Sequence, residues 1–223
     1  MKDVISIYYC HLDDLQVSEQ DHILKLHRLP VEEQERINRL HQRSDRLLSS
    51  LGLYLLEFAH GKLPALKRTE LNKPYAPNEE ICFSISHSGK MVVLAISQKQ
   101  PLGIDIEQRT KIQLDEFHLI MRPDEIETYT SEESFFELWT AKEAVIKALG
   151  TGFHQEVKEI MIQDNQAKLQ EQYWQLTPIK IRDGYSCTLA VANSNSHSKI
   201  DLIPVTAQDL LPLKKEKENY ANS

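Results

Sequence analysis

Apolar residues recur along this chain with two different periods, and the changes of period mark out its elements. VISIYYC near the start, ICFSIS and MVVLAIS within residues 81–97, and LGIDIE at 102–107 run or alternate over short stretches, as strands do. HSGK separates the second of these from the third as a turn, so 81–97 predicts a hairpin. Two longer stretches carry the helical period instead. Pro30 followed by Glu32 and Glu33 reads as a helix start and Gly61 as a stop, predicting one helix from Val31 to His60. TSEESFFELWTAKEAVIKALGTG is the clearest helix, with Thr130 and Glu133 as its capping box and Gly150 as its end.

The remaining segments fall between these. TELNKPYAPNEE is a loop with two prolines, and QKQP is a turn leading into LGIDIE. A helical stretch near LDEFHLIM is broken at Arg122-Pro123-Asp124-Glu125. KEIMIQ, YWQLTPIKI and YSCTLAVAN predict further strands, and LKKEKENYANS a frayed charged tail. Each half holds a long helix and apolar strands, and YSCTLAVA echoes MVVLAIS. The expectation is two similar α/β lobes, residues 1–102 and 103–223.

Composition narrows the classes of function. The 223 residues are 41% hydrophobic and 26% charged, ordinary for a soluble globular chain able to bury a core. With 26 Lys+Arg against 33 Asp+Glu the net charge is −7, which disfavours a general nucleic-acid binder and requires any anionic ligand to meet a local basic patch. No run approaches the apolar length of a membrane span, and acidic residues follow the first strand too soon for a secretory signal. Cys10, Cys82 and Cys187 are isolated, which excludes a disulfide framework and a C-x-x-C site and suits a reducing compartment, so a cytoplasmic location is expected.

Several charged residues stand out against this background. In a strand GIDIEQ, Asp105 and Glu107 project from one face about 7 Å apart, a repulsion that calls for a cation between them. On the later helix Phe135, Leu138, Trp139, Val145, Ile146 and Leu149 form an apolar stripe with Lys142 at its centre. Lys142 either snorkels to water or reaches a phosphate or carboxylate in a cleft. Glu143 and Lys147 are either an exposed i, i+4 pair or one wall of a metal–phosphate site. In SISHSGK, Ser86, His87, Ser88 and the Gly89 backbone gather donors suited to phosphate oxygens, while no G-x-S-x-G elbow supports a serine hydrolase. Lys73-Pro74 is a rigid turn holding a cation. Arg36, Arg39, Arg43 and Arg46 share one helix face, as a solvated surface paired with Glu32 and Glu35 or as an anion-binding stripe.

The order SISHSGK, GIDIE, FFELWTAKEAVIKALGTGF resembles the motif series of the 4′-phosphopantetheinyl transferases, in particular their larger two-lobed class. The resemblance is strong over residues 73–153 and looser outside them. It implies a pseudo-twofold α/β (α+β) monomer with coenzyme A in the cleft between lobes, and Mg²⁺ held by Asp105, Glu107 and Glu143. Lys73, Ser86 and His87 match coenzyme A positions, Arg46 the nucleotide contact, and Lys142 and Lys147 the lysines near the phosphates. Glu125 resembles an additional acid near the attacking serine. Relatives often carry lysines for the 3′-phosphate where this chain reads VEEQ, which leaves Arg36 or Arg39 as substitutes. Position 84 is serine where some relatives place asparagine. The implied reaction moves 4′-phosphopantetheine from coenzyme A to a serine of an apo acyl-, polyketide or peptidyl-carrier protein, releasing adenosine 3′,5′-bisphosphate, with Glu143, Lys147 and Glu125 catalytic. The competing expectations are a carrier-binding relative without catalysis and a metal-dependent nucleotide hydrolase.

Overall fold

A computed structural model describes residues 4–69, 72–112, 120–150, 157–192 and 198–210. The first half begins with strand β1 (Val4–His11) and helices α1 (Val17–Ile23), α2 (Val31–Asn38) and α3 (Arg43–His60). Two short strands, β2 (Lys67–Arg68) and β3 (Pro74–Tyr75), precede the hairpin of β4 (Cys82–Ser88) and β5 (Met91–Ser97). The second half runs from β6 (Leu102–Gln108) through helices α4 (Pro123–Ile126) and α5 (Glu132–Leu149). Strands β7 (Met161–Gln163), β8 (Gln166–Leu169), β9 (Gln172–Pro178), β10 (Tyr185–Ala192) and β11 (Lys199–Pro204), then helix α6 (Ala207–Leu210), complete it.

The mixed α/β class is as expected, and one topology occurs twice. The order β11-β1-β5-β4 makes the first sheet and β6-β10-β9-β8-β7 the second. In each, a strand, an 18-residue helix and a hairpin follow one another, and the first strand pairs antiparallel with the hairpin's second strand. The inner faces of both sheets share a core of Ile5, Ile7, Val93, Ile104, Ile106 and Leu189. Helix α3 covers the other face of the first sheet through Leu51, Leu55, Val92 and Leu94. Helix α5 does the same for the second through Ala144, Val145, Trp174 and Ala190. The layers run helix, sheet, sheet, helix.

Three expectations are corrected here. The single helix over 31–60 is two, because apolar periodicity lapses through HQRSDR; Arg46 donates to the Leu40 and His41 carbonyls at 2.9 and 3.1 Å and satisfies the break. The break also divides the arginine face, and its members have separate partners: Arg36 with Glu33, Arg39 with Glu35, Arg43 with Asp21. The cap of α5 is Ser131, whose hydroxyl accepts from the Ser134 amide at 3.1 Å, while Glu133 pairs with Arg109. The last strand, β11, adds parallel to β1 at the edge of the first sheet. Most of LDEFHLIM and all of the charged tail lie outside the described residues.

Candidate functional site

The two sheets meet where the edge of β6 lies on the serine face of β4. The amides of Ile104, Ile106 and Gln108 donate to the hydroxyls of Ser84, Ser86 and Ser88 at 3.1, 3.4 and 3.1 Å. An edge strand's otherwise orphaned donors are thereby satisfied by side chains instead of a backbone ladder. Ser86 in turn donates to Asp105 Oδ1 at 2.7 Å, and Ser88 donates to Glu107. The alternation in SISHS thus ties the halves together and orients both strand acids.

Gly103 brings helix α5 in. A Cβ there would lie 2.0 Å from the Ala144 carbonyl oxygen and 2.4 Å from the Ala148 nitrogen, so only glycine lets α5 settle on β6. That approach carries Glu143 and Lys147 to the strand acids. The Lys147 ammonium lies 2.6 Å from Asp105 Oδ1 and 2.8 Å from Ser86 Oγ. Asp105 is 2% exposed and Glu143 7%. Burial, then the charges of Asp105 and Glu107, push the Glu143 carboxyl up to about 7, with Lys147 pulling the other way. Burial also raises Glu107, against the hydrogen bond from Ser88.

Beside this cluster opens a cavity of about 340 Å³ lined by Arg36, Arg68, Lys73, Ser84, Glu143 and Lys147. Arg36 and Arg68 both bond Glu33; burial alone would raise that carboxyl, but the two guanidinium groups hold it below its ordinary value. Lys73 donates to the Lys147 carbonyl, and burial lowers its amine to about 8. His87 is exposed on the opposite face of β4 from Ser86, and burial of its surroundings together with the Lys147 charge keeps it below the usual imidazole value. The cavity is cationic in a chain of net charge −7.

Other expected site residues stand elsewhere. Lys142 neither snorkels nor reaches this cavity: it is fully buried, its ammonium 2.7 Å from Glu125 Oε2 and 2.9 Å from the Ile120 carbonyl oxygen. The physical reason is that Glu125, 5% exposed, is its counter-ion inside the protein. Glu125 is therefore bound to Lys142 and to the Arg122 amide at 2.9 Å. Arg46 closes the α2–α3 turn. Sequence reasoning missed Arg68, which follows no recognisable pattern, and the polar residues that strand register sets opposite the acids. Thr188 faces Asp105 across the β6–β10 ladder and shares a 3.0 Å hydrogen bond with Thr140. Ser186 faces Glu107.

Oxygen donors that could take a hard cation are present. Asp105 Oδ2 and Glu143 Oε1 are buried without a partner among the described residues, an arrangement that suits Mg²⁺ chemistry. As arranged, no group of three His, Cys, Asp or Glu among the described residues stands in position to hold a metal ion.

Comparison with known proteins fits this geometry. A model of the 4′-phosphopantetheinyl transferase superfamily matches residues 101–190, the span that holds β6, α5 and most of β10. Over that span the chain is similar to the superfamily. It is 37% identical over 108 residues to the 4′-phosphopantetheinyl transferase gsp of Aneurinibacillus migulanus, covering 46% of this chain and 45% of the relative. A 4′-phosphopantetheinyl transferase of Bacillus subtilis is 29% identical over 163 residues, covering 66% of this chain and 71% of the relative. A phosphopantetheinyl transferase of Thraustochytrium is 32% identical over 153 residues, with 56% and 53% covered. The match thus spans about half the length of the first and third of these relatives. No helix among the described residues is long and apolar enough to cross a membrane.

Proposed function

We propose that the protein is an Mg²⁺-dependent 4′-phosphopantetheinyl transferase, moving the phosphopantetheine of coenzyme A to a serine of an apo carrier protein and releasing adenosine 3′,5′-bisphosphate. The observation that carries this reading is the buried Asp105–Ser86–Lys147 cluster with Glu143 beside it, opening on a cavity lined by Arg36, Arg68 and Lys73. Phosphoryl transfer is governed by positioning and charge neutralisation, and this arrangement supplies both.

In this reading the Arg36, Arg68 and Lys73 side chains hold the phosphates of the nucleotide portion, with Arg36 and Arg68 standing in for the lysines that relatives place earlier. Asp105, Glu107 and Glu143 would hold Mg²⁺, which when bound neutralises the pyrophosphate. The Lys147 ammonium stabilises the negative charge that develops on the leaving bisphosphate. Glu143 Oε1 accepts the proton of the acceptor serine hydroxyl, directly or through one water. Lys142 and Glu125 hold one another and take no proton.

The test is incubation with coenzyme A, Mg²⁺ and a panel of apo acyl-, polyketide and peptidyl-carrier proteins, read by mass. One phosphopantetheine added per acceptor serine is expected. Asp105→Asn should lower kcat/KM at least about a hundredfold, roughly 2.7 kcal/mol of transition-state stabilisation. Bisphosphate release without any acceptor would mark a hydrolase instead.

A further inference from the structure

Lys147 takes part in two charge environments that cannot both be satisfied at once. Its ammonium is held 2.6 Å from Asp105 Oδ1 and 2.8 Å from Ser86 Oγ, yet its side chain also lines the cavity shared with Arg36, Arg68 and Lys73. Asp105 and Glu143 are both buried, and each keeps a carboxylate oxygen without a partner among the described residues, so the folded protein needs a positive charge beside them. Lys147 supplies that charge from within the chain. At 26% side-chain exposure, against 4% for Asp105, the lysine is the more exposed partner of this pair.

We infer that Lys147 is a built-in counter-ion of the acidic cluster, one that a divalent cation must displace from Asp105 in order to bind. The inference rests on the metal reading above. An ion on Asp105 Oδ2, the oxygen without a partner among the described residues, would stand against the ammonium on Oδ1, and two cations on one carboxylate repel one another. Displacement has somewhere to send the ammonium, because its long stem already borders the cationic cavity. A phosphate ligand there would receive the released charge. Ion binding and phosphate binding are then coupled, and by linkage each strengthens the other to the same degree. The device keeps the buried Asp105 and Glu143 carboxylates compensated before the ion arrives and delivers a lysine to the phosphates when it does.

The experiment measures Mn²⁺ affinity by electron paramagnetic resonance on the whole chain, with and without coenzyme A. Lys147→Met should bind Mn²⁺ at least about tenfold tighter than wild type in the absence of coenzyme A, since no internal cation competes. Coenzyme A should tighten Mn²⁺ binding in wild type and much less in the variant. Ser86→Ala, which removes one of the two anchors of the ammonium and keeps its charge, should fall between them; it also serves if Lys147→Met does not fold. Unchanged or weaker binding in both variants, with wild type binding Mn²⁺, overturns the counter-ion and leaves the metal reading standing. Wild type that transfers phosphopantetheine yet binds no Mn²⁺ even with coenzyme A overturns both.

Discussion

Helices α3 and α5 are each 18 residues long, each ends on a glycine with positive φ, and each covers the outer face of its own sheet. Their buried residues differ in kind. At the same distance before the terminal glycine, α3 has Leu53 and Tyr54 where α5 has Lys142 and Glu143. The strands beneath them differ in the same way. Toward α3, β1 turns Tyr8 and Cys10; toward α5, β6 turns Gly103, Asp105 and Glu107. One copy of the topology is an apolar scaffold, and the other has charges at its helix–sheet contact. A duplicated topology therefore does not duplicate chemistry, which depends on which copy accepts buried ionisable groups.

The largest effect should come from the contact that has no slack. A Cβ on Gly103 meets the backbone of α5 at 2.0 Å, whereas a Cβ on Gly52 of α3 meets Ile85 Cγ2 at 2.8 Å, a side-chain atom that can turn aside. Gly103→Ala should cost about 5 kcal/mol or more, beyond the usual overpacking range because the obstacle is helix backbone. Gly52→Ala should cost about 1 kcal/mol or less, since alanine's helix propensity offsets part of the crowding. Urea unfolding of both variants checks the difference; equal losses would mean the two helix–sheet contacts are equally tight.

Next comes the Lys142–Glu125 pair, in which both partners are buried. Lys142→Met leaves Glu125 charged and unpaired inside the protein and should cost about 3–4 kcal/mol. The double variant Lys142→Met, Glu125→Gln should recover most of that loss. If Lys142 instead contacted a phosphate, the single change would leave stability alone and lower kcat/KM by about tenfold. Thermal unfolding and steady-state kinetics of the same samples separate these outcomes.

Glu143 should make the second half sensitive to pH. Its carboxyl lies at about 7 in the folded protein against an ordinary 4.5, so between those values the folded state keeps a proton that the unfolded state has released. Stability then falls as pH rises through that window, by up to roughly 3 kcal/mol for the 2.5-unit shift. The raised Glu107 adds an effect of the same sign. Glu143→Gln should flatten the decline between pH 5 and pH 8, measured by denaturant unfolding without metal. The same slope in variant and wild type would mean that Glu143 ionises no differently on folding.

What the sequence made legible follows from the range of each interaction. The hairpin over 81–97, the strand at 102 and the ends of both long helices were readable because alternation, turns and terminal glycines are local signals. Lys142 was visible as an anomaly on an apolar stripe, but its partner was not, since nothing local links residue 142 to residue 125. The α2–α3 break could have been found in HQRSDR, six residues without an apolar member. The β7–β8 turn could have been found in Asp164 and Asn165, both at positive φ. The pairing of β11 with β1 joins chain segments nearly two hundred residues apart and leaves no local trace. The acids Asp105, Glu107 and Glu143 stood out locally as charges on a strand face and at a helix edge, whereas Thr188 and Ser186 opposite the strand acids depend on strand register alone.

The smallest expected effect lies at the seam between the halves, where the serine alternation was read as a set of phosphate donors. Ser84 is 2% exposed and accepts from the Ile104 amide at 3.1 Å, away from the Ser86 and Ser88 hydroxyls that also serve the acids. Ser84→Ala leaves that buried amide without an acceptor, a loss of about 1–2 kcal/mol, and removes no charge from the site. Ser84→Asn offers a carbonyl oxygen in place of the hydroxyl and should restore part of the loss, in keeping with the asparagine that some relatives place there. If the serine only joins the sheets, Ser84→Ala lowers the melting temperature and leaves KM for coenzyme A unchanged. If Ser84, which also lines the cationic cavity, reaches a phosphate, KM rises by severalfold while the melting temperature moves as before. Measuring both in the alanine and asparagine variants separates a seam residue from a ligand contact, and a neutral result in stability would show that β6 does not need this acceptor to stay on β4.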